Sequence, residues 1–188
     1  MKKKIFSMLA VIAVVALAFT SCSKDDPAEP VKPDEGKEAT FIGKVLIQTN
    51  ESTLSAAPKV WSAPVSLDIV ARVRYNDLGI GGGSTYYNIP ANKISYNNST
   101  GEYIIKAPVN SQGSQTSIEV AIGSFTGKVT KTKPANGGVV DVEVDVVWAA
   151  INYFTTPSGT IGATVYIPTR QLSSSSCYEE VVSVGEEI

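Results

Sequence analysis

The stretch Val65-Ser66-Leu67-Asp68-Ile69-Val70-Ala71-Arg72-Val73-Arg74-Tyr75 decides the fold class. Val65, Leu67, Ile69, Ala71, Val73 and Tyr75 fall on one side of an extended chain. Ser66, Asp68, Arg72 and Arg74 fall on the other. Successive side chains of a strand point to opposite faces, so this period of two predicts a half-buried strand of an antiparallel sheet. The same alternation returns at Val140, Val142, Val144, Val146 and Trp148, interleaved with Asp141, Glu143 and Asp145. It returns again at Ile118, Val120 and Ile122.

Shorter strands are expected at Phe41–Gln48, Thr85–Ile89, Lys93–Asn97, Glu102–Ala107, Phe125–Thr130, Thr160–Ile167 and Tyr178–Val184. Turn-forming clusters separate them at Asn76-Asp77, Gly79–Ser84, Asn97–Gly101, Asn110–Ser114, Pro134–Gly138 and Pro157–Gly159. Gln48–Ser62 and Leu78–Ser84 read as long loops. No window has the 3.6-residue period of an amphipathic helix. Short strands at this spacing predict an all-β protein, an antiparallel β-sandwich with one face of each sheet buried.

Upstream of this body the composition changes. Met1-Lys2-Lys3-Lys4 is a basic cap, and Met8–Phe19 is an apolar run without a polar side chain. The run is too short to span a bilayer, which takes about 20 residues, and has the layout of a secretory signal peptide over residues 1–21. Its removal leaves 167 of the 188 residues, enough for one domain. Residues 23–38, SKDDPAEPVKPDEGKE, hold three Pro and six acidic side chains and almost nothing apolar. Residues 22–38 therefore read as a solvated, disordered tether, and 39–188 as the sandwich, with 149–188 adding edge strands.

Charge and residue usage limit the chemistry. The whole chain carries −2; with the leader's three lysines gone it carries −5. Six of the 18 acidic residues sit in the tether, so the folded part is nearly neutral. That argues against nucleic acid as a partner, which needs a concentrated basic surface. The chain has no His, which excludes His-based nucleophile systems and His-ligated metals, and its two Cys are too few for a thiolate zinc site. No catalytic residue, metal site or cofactor is expected, and the protein is read as a non-enzyme.

Phe19-Thr20-Ser21-Cys22 resembles a bacterial lipoprotein signal. The resemblance implies that Cys22 becomes the first residue, carries a diacylglyceryl group on sulfur and is acylated on nitrogen. Two or more acyl chains hold a protein on a membrane without a spanning helix. Ser23, Lys24, Asp25 and Asp26 resemble the export signal of Bacteroidota surface lipoproteins, which implies the outer membrane and the cell surface.

Two segments of the body resemble the transthyretin-like, carboxypeptidase-regulatory-like sandwich domain, a relative in shape of immunoglobulin-like sandwiches. Ala39-Thr40-Phe41-Ile42-Gly43-Lys44-Val45 is similar to its first strand, with a central Gly-x-Val. Ser99-Thr100-Gly101-Glu102-Tyr103-Ile104-Ile105-Lys106-Ala107-Pro108 is similar to its Gly-x-Tyr hairpin. The resemblance covers residues 39–148 and implies a structural, adhesion or ligand-presenting module without catalytic residues.

Candidate sites are few. Gly79-Ile80-Gly81-Gly82-Gly83-Ser84 precedes strand-like residues instead of a helix, so it reads as a loop and not as a phosphate cradle. Asp141, Glu143 and Asp145 lie in a row along one strand, which cannot converge on a cation, and read as a solvated face. Cys177 is expected either buried or as a free thiol. Aromatic side chains are the better binding candidates. Tyr86/Tyr87 and Tyr153/Phe154 are adjacent pairs, so one member of each faces outward, and Trp61 sits in a long loop. Trp61, Tyr86, Tyr87 and Tyr153 could stack on a sugar or dock a partner. The expected partners are a membrane, through Cys22, and a glycan or a protein. The expected role is binding, adhesion or scaffolding; the alternatives are a carbohydrate-binding accessory of a glycan-uptake system and a fimbria-related assembly subunit that pairs an edge strand.

Overall fold

The computed structural model describes residues 32–34, 36–54, 58–81 and 85–179. The described strands all belong to the unit Pro33–Ile188. The leader, Cys22 and the export residues Ser23, Lys24, Asp25 and Asp26 lie outside the described residues, as does the expected strand beyond Glu179.

Fourteen strands and three short 3₁₀ turns make up the described regular structure. The strands are β1 (Glu38–Gln48), β2 (Asn50–Glu51), β3 (Trp61–Ser62), β4 (Ile69–Arg74), β5 (Tyr86–Asn88), β6 (Ile94–Asn97) and β7 (Glu102–Pro108). They continue with β8 (Glu119–Ile122), β9 (Phe125–Ala135), β10 (Gly138–Trp148), β11 (Ile151–Thr155), β12 (Thr164–Tyr166), β13 (Arg170–Leu172) and β14 (Cys177–Glu179). The protein is all-β, with sandwich character and mostly antiparallel pairing.

β1 organises the first sheet. Its first half lies between β7, antiparallel from Glu38↔Pro108 to Lys44↔Glu102, and β12, parallel at Thr40–Ile42. Its second half lies between β13, parallel at Val45–Ile47, and β3, antiparallel at Ile47–Gln48. The C-terminal region thus supplies the strands that make β1 interior. An interior strand should alternate strongly, and β1 does: Ala39, Phe41, Val45 and Ile47 are all buried.

The gap in that series is Gly43, which stands directly opposite Tyr103 of β7. A Cβ on Gly43 would overlap the Tyr103 ring at Cζ, Oη and Cε1. The absent side chain is the space the ring occupies, so a tyrosine lies flat and fully buried across the strand. The Gly-x-Val and Gly-x-Tyr segments therefore meet as cross-strand neighbours. The hairpin before Tyr103 turns at Gly101, whose φ of 75° is left-handed and whose amide donates to the Asn97 carbonyl at 2.8 Å.

The second sheet has the order β11-β8-β4-β5, antiparallel throughout. Ala71, Val73, Ile118, Val120 and Ile122 join Phe41, Tyr103 and Ile105 in one buried cluster. Completely burying a side chain of this size contributes about 1.5–3 kcal/mol.

The third sheet, β14-β10-β9-β2, is built on the long β9–β10 hairpin. The pairings Ile151↔Ile122 and Trp148↔Phe125 keep the same offset. β8–β9 and β10–β11 are therefore one antiparallel ribbon that passes from the second sheet to the third at Gly123-Ser124 and Ala149-Ala150.

Several expectations need correction. The strand expected from Val65 begins at Ile69, and Val65 is 77% exposed. Its partner ladder ends first: β4 pairs with β8 only up to Ile69↔Ile122, and the Asp68 carbonyl accepts from Gly123, where the ribbon turns away. Tyr75 opens a 3₁₀ turn, Tyr75–Leu78, instead of ending the strand. β10 alternates as expected, but only Val146 and Trp148 are buried; Val140 is 43% exposed. Pro134 lies within β9 opposite Val139, not in a turn. The stretch Gln48–Ser62 is not one loop, since it contains β2 and β3. The strand expected over Thr160–Ile167 shrinks to Thr164–Tyr166, because Gly162, with φ of 74°, turns the chain just before it.

Candidate functional site

Two places on the molecule combine polar chemistry with exposure. The first is the outer face of the second sheet. Arg72, on the solvent side of β4, lies between two tyrosine rings, 3.8 Å from the centre of Tyr86 and 3.7 Å from that of Tyr153. Glu119 of β8, directly across the ladder, accepts from Arg72 Nε at 2.8 Å and meets its terminal nitrogen at 2.7 Å. Glu119 also accepts from Arg74 and from the Tyr86 hydroxyl, each at 3.2 Å. Burial pushes the Glu119 carboxyl up, but hydrogen bonds from Arg72, Tyr86 and Arg74 outweigh it and hold the group below the usual carboxylate range.

This cluster holds two of the four aromatic candidates, Tyr86 and Tyr153. Tyr86 and Tyr153 are the outward members of their pairs, while Tyr87 and Phe154 pack on the core. Tyr87 meets Tyr75 edge-on at 6.3 Å. The two outward rings do come together, yet each already has a face under the Arg72 guanidinium. Trp61 is elsewhere. It lies on β3, half-buried and opposite Gln48, with no part in the tyrosine cluster. Arg72 and Glu119, which organise the cluster, were not among the sequence candidates. Their signal is the outward pair Arg72 and Arg74 on a strand whose other residues are apolar, but the partner carboxylate comes from a distant segment.

The second place is a groove of about 640 Å³ between the base of the β9–β10 hairpin and the segment that follows β3. Ile47, Ala63 and Val65 give it apolar surface. Thr49, Ser62, Ser66, Thr126 and Thr130 bring hydroxyls, and Lys128, Glu143 and Asp145 bring charge. A volume of this size is ordinary for a ligand site. Val65 is exposed because it faces this groove. The wall that carries it is pinned by Tyr96 of β6, whose hydroxyl donates to the Pro64 carbonyl at 2.6 Å, and burial pushes the Tyr96 phenol up to about 12.

Lys128 and Glu143 pair at 2.8 Å across the hairpin. The hydrogen bond and charge of Glu143, with the charge of Asp145, raise the Lys128 pKa. Asp141, further out on the same face, accepts from Ser52 and Thr132, each at 2.7 Å, and these bonds lower its pKa. Asp141 is thus engaged apart from Glu143 and Asp145, and no group of three metal-ligating side chains occurs among the described residues.

No family model, curated protein or solved structure matches this chain.

Cys177 is half-buried and unbonded to another cysteine, with its thiol donating to the Ser174 carbonyl at 3.0 Å. Burial raises the thiol pKa. A thiol held protonated is a poor nucleophile.

Proposed function

We propose that this chain is an outer-membrane lipoprotein, anchored through acyl chains on Cys22 and displayed at the cell surface, whose β-sandwich is a non-catalytic binding module of the transthyretin-like kind. The leader pattern, the Ser23-Lys24-Asp25-Asp26 cluster and the Gly43/Tyr103 motif pair support the reading. The observation that carries the binding role is the groove, which brings apolar surface, hydroxyls and unequal charge into one concavity.

The aromatic faces favour a glycan less. Stacking on Tyr86 or Tyr153 has to use the side that Arg72 leaves open, and Trp61 lies on another sheet. The address is tested by fractionation and by protease treatment of intact cells. Wild type should sit in the outer membrane and be digested, while Cys22→Ser should leave the membrane fraction. Complete protection of the anchored wild type on intact cells would remove the surface assignment.

A further inference from the structure

β9 has an outer edge that its neighbours only partly use. β2 pairs with it at Asn50↔Thr130 and Glu51↔Lys131, and no other described strand pairs on that side. The direction of the open backbone groups follows from one hydrogen bond. The Thr130 amide donates to the Thr49 carbonyl at 2.9 Å, so Thr130 turns its backbone polar groups away from β10. The β9–β10 register runs unbroken from Phe125 to Ala135. Alternate residues of an antiparallel strand direct these groups to opposite sides. Thr126 and Lys128 must therefore direct theirs the same way as Thr130, toward the edge that borders the groove, beyond the reach of β2.

The charge of the groove has a sign. Lys128 contributes one positive charge and Glu143 and Asp145 two negative, and Lys128 is already engaged by Glu143. One carboxylate remains in excess, beside open strand edge and a wall of Thr and Ser hydroxyls.

We infer that the groove binds an extended peptide segment of a partner protein, which pairs its backbone with β9 at Thr126 and Lys128 and brings a Lys or Arg side chain to Asp145 and Glu143. The inference rests on the binding-module reading and names its ligand class. Strand addition draws affinity from main-chain hydrogen bonds and specificity from alternate side chains. The apolar surface at Ile47, Ala63 and Val65 suits the apolar members of such an alternation.

The test measures binding of the full chain, in detergent, to a fluorescent peptide alternating Val with Lys. Comparison peptides carry Glu in place of Lys, or N-methyl groups on alternate amides. A neutral oligosaccharide is the competing probe. The Lys peptide should bind, the Glu peptide at least tenfold more weakly, and one of the two N-methyl registers at least tenfold more weakly. Asp145→Asn should weaken the Lys peptide several-fold, and Asp145→Lys should reverse the preference toward Glu. Thr126→Pro removes an amide that faces the groove while sparing the β9–β10 ladder, and should abolish binding in a protein that still melts cooperatively.

Equal binding of Lys and Glu peptides overturns the inference, as does indifference to N-methylation. Saturable oligosaccharide binding with inert peptides overturns it in favour of a glycan. Concentration-dependent dimerisation that blocks peptide overturns it in favour of a second copy. None of these outcomes touches the Cys22 address, which stands or falls on fractionation and protease treatment.

Discussion

The β1–β7 pair and the β9–β10 pair are both long antiparallel ladders, and β1 and β10 each carry a row of apolar residues at alternate positions, yet the two rows have opposite fates. β1 is covered along its whole length: β12 and β13 extend its sheet, and its buried residues join one core cluster with those of β4, β8 and the base of the β9–β10 hairpin. β10 is covered only at its base, where Val146 and Trp148 are buried and Phe125 stacks on Trp148 at 5.5 Å. Further out, Val140 and Val139 are exposed. Period two fixes which residues share a face. Whether that face is buried depends on a second layer, and the distal hairpin has none among the described residues.

The contrast can be broken by substitution. The largest effect is expected at the covered end. Trp148→Ala removes a fully buried ring and its stacking on Phe125, and should destabilise by about 3–5 kcal/mol in urea unfolding. A loss of under 1 kcal/mol would mean that the hairpin base is no part of the core.

An intermediate effect is expected on the outer face of the second sheet. Glu119→Gln should cost about 1–2 kcal/mol at neutral pH, because Arg72, Arg74 and Tyr86 all spend hydrogen bonds on the carboxylate. The folded-state pKa of Glu119 is depressed below the reference 4.5, so its contribution is complete above that pH and fades as pH falls further. Wild type should lose stability on acidification, and Glu119→Gln should show a shallower decline. Asp141 and Glu179, also depressed, leave part of the slope in place. Superimposable acid profiles would remove the cluster from the stability balance.

The smallest effect is expected at the uncovered end. Val140→Ala should change stability by about 0.5 kcal/mol or less, since the side chain is already 43% in water. A cost near that of a core truncation would show that something covers the distal hairpin in solution.

Much of this was legible in the chain. The strands around Phe41, Ile94, Glu102 and Val120 stand close to where alternation and turn residues put them. The short strands β2, β3 and β13 were not legible, because pieces of two or three residues owe their existence to a neighbour's ladder and not to their own pattern. The end of β4 was misplaced for the same reason, since the loss of β8 at Gly123 ends it. At the candidate site, parity of adjacent strand residues gives one outward ring in each pair, and the structure makes these Tyr86 and Tyr153. That Arg72 occupies both rings does not follow from parity, because it needs the four strands β11, β8, β4 and β5 brought side by side. The groove was invisible for a related reason. Its charged wall, Lys128 and Glu143, is a cross-strand pair, and its other wall arrives through a tyrosine on β6.

The lodging of Tyr103 over Gly43 has a bearing on how this sequence can vary over time. Neither residue can be altered alone without cost, since a larger residue at 43 evicts the ring and a smaller one at 103 leaves a hole. Lineages descended from this chain should therefore change the two together or not at all. Statistical coupling between those columns would be the mark that the contact leaves in an alignment. Two short motifs, far apart along the chain, would then be inherited as a single character.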